Sequence, residues 1–155
     1  MAFEQEAGEE TPRPEEPKRK SPRHCAMDLL ARREYSRREL LERLHRKFPD
    51  EPAETFADTL DTLAAEGLQS DQRFAESYIR LRVSRGQGPR KIAFELLQRG
   101  IPESQSGPLL EDYDWQSLAL EVLDKKFGHT ESRDLQEKAK MLRFLNQRGF
   151  DSHGA

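Results

Sequence analysis

Few residues in this chain have the types and spacing for covalent or metal chemistry. The four histidines, His24, His45, His129 and His153, stand too far apart for a zinc site, and Cys25 is the only cysteine, so no CxxC pair exists. Gly86-Gln87-Gly88-Pro89 lacks both the preceding strand and the following Lys-Ser/Thr of a phosphate-cradling loop. Glu111 and Asp112 read as a solvated acidic turn rather than an acid/base pair. Catalysis is therefore not expected, and neither a metal nor a cofactor is implied. The chemistry left is that of cations on a surface.

Those cations concentrate between Ser70 and Ile101. At about 100° per residue, Arg73 and Arg80 fall together on the outer face of a helix, which makes them the better contact candidates. Arg82 borders the apolar stripe of Ala75 and Tyr78, and Arg85 lies in line with it at the helix end. For these two, two readings stay open: contact with a partner, or a stem laid over the core with the cation near terminal carbonyls. Arg90 and Lys91 occupy the first turn of the next helix, against its dipole, and such placement often serves something other than the helix itself. Arg37 and Arg38, in the basic block upstream, complete the candidate set.

The elements that must hold these residues are helices. Nineteen Leu and thirteen Ala stand against two Val and three Ile, a balance that favours helix over strand and predicts an all-α protein. Residues 1–20, rich in Glu and Pro, read as a disordered tail. Thereafter apolar pairs three and four apart, punctuated by Gly and Pro, predict eight short helices. The first covers about 22–33, burying Ala26, Leu29 and Leu30. The second starts at Ser36, with Glu39 completing a capping box and Leu40, Leu41, Leu44 and Phe48 as its stripe. The third runs from Pro52 to Gly67 with Phe56, Leu60, Leu63 and Ala64, and the fourth from Ser70 with Phe74, Ala75, Tyr78 and Leu81. Pro89 opens the fifth (Ile92, Ala93, Leu96, Leu97), and Pro102 a weaker sixth ending near Leu110. Asp114 caps the seventh (Trp115, Leu118, Ala119, Val122), and the eighth spans about 132–148 with Leu135, Leu142 and Leu145.

Three of these helices repeat one another. Leu40, Ile92 and Met141 correspond, as do Leu41, Ala93 and Leu142, then Leu44, Leu96 and Leu145, with Lys47, Arg99 and Arg148 closing each helix. Repeats of this kind mean stacked modules: residues 21–69, 70–113 and 114–155. Only five residues follow Phe150, so the third module is expected to lack its last helix and to expose part of Leu142 or Phe150 unless a partner or neighbouring copy covers it. Charge follows the same division although the formal net charge is only −3. Residues 72–101 carry seven basic and two acidic side chains, whereas 102–124 carry six acidic and none basic. A row of basic surfaces able to meet phosphate or an acidic groove is expected, although acidic and basic modules pairing with each other would produce the same pattern.

Asp71, Phe74, Ala75, Tyr78, Arg82, Gly88-Pro89, Ile92, Glu95-Leu96 and Gly100-Ile101 together resemble the central signature of the RecX family of bacterial recombination regulators. Ser36 with Glu39-Leu40, and Phe144-Leu145 with Arg148-Gly149-Phe150, extend the likeness over about 24–150. The resemblance implies an elongated, curved array of tandem three-helix repeats. It also implies binding to the RecA recombinase, chiefly in the helical groove of the RecA–DNA filament and also to the free monomer, with inhibition of ATP hydrolysis, coprotease activity and strand exchange. Weak, salt-sensitive DNA binding, a monomeric state and a cytoplasmic location accompany that expectation, with no membrane contact. Two alternatives stand beside it: a helix-turn-helix module that binds duplex DNA directly, and a scaffold for some other acidic protein.

Overall fold

Ser21, Ser36, Ser70, Asp114 and Asp134 each accept a hydrogen bond from a backbone N–H three residues on, and each opens a helix. At Ser36 the bond is reciprocated, because the Ser36 N–H donates to Glu39 Oε1 at 3.1 Å. In this computed structural model residues 20–129 and 133–151 are described. They form eight helices and no strand: α1 (Pro22–Leu30), α2 (Arg37–Lys47), α3 (Ala53–Ala65), α4 (Asp71–Ser84), α5 (Pro89–Gln98), α6 (Glu103–Leu110), α7 (Trp115–Phe127) and α8 (Leu135–Arg148). The expected tail lies outside the described residues, except for Lys20.

Helices α1, α2 and α3 pack pairwise on one another, as do α4, α5 and α6, while α7 packs on α8. Three separate cores follow. The first buries Ala26, Leu40, Leu44, Phe56, Leu60 and Leu63; the second Phe74, Ala75, Ile79, Ile92, Leu96 and Ile101; the third only Leu123, Leu145 and Phe150. Trp115 packs against the second and third cores and joins them. The repeat columns carry this arrangement, since Leu44, Leu96 and Leu145 are at most 1% exposed.

Several expected core positions are corrected. Helix α1 stops at Leu30, because the chain turns there to bury Tyr35, whose ring lies 3.6 Å from the Arg33 guanidinium carbon. In α4 Ile79 is buried and Leu81 exposed, because the buried sector runs through Ala75, Tyr78 and Ile79 and Leu81 falls at its edge. Ala64 and Leu97 face solvent for the same reason. Leu135 is 84% exposed and Leu142 is exposed too, since α8 has only α7 beside it within its module, leaving a narrower stripe to bury. The Ser132 start expected for α8 lies outside the described residues.

Candidate partner-binding surface

Arg73 and Arg37 tie module one to module two. Arg73 Nε donates to Glu34 Oε1 at 3.0 Å, and its Nη2 donates to the Gly67 carbonyl at 2.7 Å. Arg37 Nη1 pairs with Asp61 at 2.7 Å, while its backbone N–H donates to Asp71 Oδ1 at 2.9 Å. Gln69 Nε2, in a buried side chain, also donates to Asp71 Oδ1, at 2.9 Å, so one carboxylate oxygen gathers both modules. Arg38 remains largely exposed, 3.4 Å from Glu42 one turn along α2, and its stem approaches Gly100. The Arg73 guanidinium, expected to reach outward, is therefore already engaged by the joint.

Arg82 takes the core-covering position. Its guanidinium carbon lies 4.9 Å from the Tyr78 ring centroid, and Arg99 lies 4.8 Å from the same ring. Arg82 Nε is 3.4 Å from Glu95 Oε2 but poorly aligned, so the contact is an ion pair without a hydrogen bond. The Tyr78 hydroxyl donates to that same Glu95 oxygen at 2.5 Å. Burial, and then the bond to Glu95, raise the Tyr78 hydroxyl above its ordinary titration range, with Arg99 opposing them.

Arg90 and Lys91 have a local explanation that the linear sequence hides. The Gly88 N–H donates to the Arg148 carbonyl at 2.7 Å, and the Arg90 N–H donates to the Gly149 carbonyl at 3.0 Å. The positive end of α5 thus meets the negative end of α8, where cations are favoured. Arg90 Nη2 also donates to the Phe150 carbonyl at 3.3 Å. Lys91 and Arg80 are exposed, with no ion pair among the described residues. Arg85 is exposed as well; its carbonyl accepts from Arg148 Nη1 at 3.1 Å. Reasoning from sequence passed over Lys125 and Lys126, at the end of α7 beside Arg85, although two adjacent lysines in a last helical turn were a readable signal.

Internal neutralisation is partial. In module one, α3 pairs with the basic helices through Arg23–Glu66 at 2.6 Å and Arg37–Asp61. In module two, the one ion pair among the described residues is Arg82–Glu95, and none of Glu103, Glu111 or Asp112 pairs with a cation. Arg32, Arg43, Arg46 and Lys47 of module one are likewise exposed with no ion pair among the described residues, so both modules keep uncompensated cations. The described residues hold no group of three or more His, Cys, Asp or Glu suited to a metal, and no helix long and apolar enough to cross a membrane.

Three family models match in chain order: the first three-helix domain of RecX over residues 23–56, the second over 70–105 and the third over 112–153. The chain belongs to the RecX family. Regulatory protein RecX of Chromohalobacter salexigens is 50% identical over 135 residues, covering 84% of this chain and 86% of the relative. The RecX protein of Halorhodospira halophila is 44% identical over 130 residues, covering 83% and 80%. A crystal structure of RecX from Lactobacillus salivarius superposes with a TM-score of 0.70 at 22% identity, over 86% of this chain and 88% of that one, and shares the fold. The tandem three-helix organisation expected from the repeat columns is therefore that of RecX proteins.

Proposed function

We propose that this RecX-family chain is a regulatory protein that binds the RecA recombinase and its DNA filament, lying in the filament groove and inhibiting ATP hydrolysis, coprotease activity and strand exchange. The observation that carries this reading is the uncompensated charge of module two: Arg80, Arg85 and Lys91 stand exposed without ion pairs among the described residues. Repeated modules on one chain let several weak basic contacts act together on a polymeric target, provided their spacing suits it. Occupying the groove obstructs incoming duplex and the subunit motions coupled to ATP turnover. No active site is needed.

Titration of the chain against RecA, with and without single-stranded DNA and ATP, tests this. Inhibition near stoichiometric protein and preference for the filament over naked DNA are expected; untouched ATPase and strand exchange would sink the reading. Arg80→Glu with Lys91→Glu is expected to leave helicity intact and weaken inhibition at least tenfold. The unpaired arginines also suit duplex DNA, and tight, sequence-selective binding to naked duplex would favour a direct DNA-binding module instead.

A further inference from the structure

Where modules two and three meet there is a cleft of about 350 Å³, walled by the end of α4 and its turn (Val83–Gln87) and by α7 and α8. Its lining is divided. Val83, Leu118, Val122, Phe144 and Phe150 supply apolar surface, and Arg85, Lys125, Lys126 and Arg148 supply cations, against one carboxylate, Glu121. None of these four cations has an ion pair among the described residues. Arg148 is the telling one: half-buried, it is held by the Arg85 carbonyl and by the Phe144 ring 5.1 Å away, and it has no counter-charge. A partly shielded guanidinium with no carboxylate beside it is free to meet an incoming anion with a charge-assisted hydrogen bond.

We infer that this inter-module cleft is a docking site for an acidic peptide segment carrying an aromatic or large aliphatic residue, the apolar side chain entering against Val83, Leu118 and Val122 and the carboxylates meeting Arg85, Lys125, Lys126 and Arg148. Two features favour a peptide over nucleic acid. A phosphodiester chain has no use for the apolar lining. The Phe144 ring, the natural platform for a base, already carries Arg148 and Lys126, the latter 5.9 Å away, and packs against Phe127 edge-on at 5.5 Å. An occupant touching both walls would also hold the two modules at a set angle. This site goes beyond the reading above and depends on no property of RecA.

The test is fluorescence anisotropy of the full chain with a labelled peptide, Glu-Glu-Asp-Phe-Glu-Asp, beside the same peptide with Ser for Phe and a single-stranded oligonucleotide of equal charge. Saturable binding to the Phe peptide is expected, weakened at least tenfold by the Ser replacement and at least tenfold by Lys125→Glu with Lys126→Glu, both exposed positions. Arg148→Gln is expected to weaken it similarly; should that variant unfold, the lysine pair still decides. The proposal is overturned by absence of saturable binding, by equal binding of the Ser peptide, by preference for the oligonucleotide, or by lysine variants that bind as the parent does. RecA inhibition is read in a separate titration, so failure of one reading leaves the other standing or fallen on its own data.

Discussion

Ser36 is fully buried, and its hydroxyl closes a capping box on α2. Replacing it with Ala removes an acceptor from the Glu39 N–H inside the protein, so Ser36→Ala is expected to cost about 1 kcal/mol, read from the midpoint of urea unfolding. Asp114 caps α7, and its carboxyl titrates below the ordinary carboxylate range because the Ser117 hydroxyl and backbone N–H both donate to it. A depressed folded value means this group contributes stability above its unfolded titration and loses it as pH falls through the folded one. Asp114→Asn keeps an acceptor but cannot titrate, so its α7 amides should show a smaller acid-induced rise in hydrogen exchange below about pH 4 than the parent's. Among the arginines, residue type said little about role. Arg73, Arg80 and Arg82 sit on one helix; the first bridges modules, the last covers Tyr78, and Arg80 alone has no ion pair among the described residues.

The joint between α5 and α8 depends on two glycines, Gly149 for both conformation and space and Gly88 for space. Gly149 holds φ at 92°, a left-handed conformation that ends α8 and that other residues adopt at a cost. At Gly88 the limit is space: a Cβ there would sit 2.5 Å from the Gly149 carbonyl carbon and the Phe150 nitrogen, both backbone atoms that cannot step aside. Gly88→Ala is therefore expected to part module two from module three. Exchange of the Gly149-bonded Arg90 amide should rise sharply while the amides of module one keep their protection. Leu145, 1% exposed at the centre of the small third core, is expected to cost about 2–5 kcal/mol as Leu145→Ala, measured by thermal or denaturant unfolding.

At the scale of the molecule, stability is divided among three cores, the third of which has few buried residues. Such arrays behave as a sum of module terms and interface terms, so they lose cooperativity when a joint fails. A compact chain of this length has a radius of gyration of about 15 Å. Solution scattering is expected to give a clearly larger value, and to do so after residues 1–19 are deleted; a value near 15 Å would contradict a strung-out array. The segregated charge belongs to this scale too, because a row of weakly neutralised modules gains from a target that repeats.

Helix identity, caps and the repeat were legible in the linear chain, because Ser36 with Glu39, Pro89, Asp114 and the Leu44–Leu96–Leu145 columns act through neighbours within a turn or two. Family likeness was legible for the same reason, since its signature residues are these caps, turns and stripes. What each cation meets was not, because the partners lie far along the chain: Glu34 is 39 residues from Arg73, and the Arg85 carbonyl 63 from Arg148. Exposure at Leu142 was legible from the missing last helix, but that of Leu135 and the burial of Phe150 were not, because they depend on which elements surround α8. The tertiary structure alone brought the end of α8 to the start of α5, giving Arg90 and Lys91 a favourable electrostatic setting and opening a cationic cleft beside them. Short-range hydrogen bonding and periodicity decide elements; burial and pairing are decided by which elements come together.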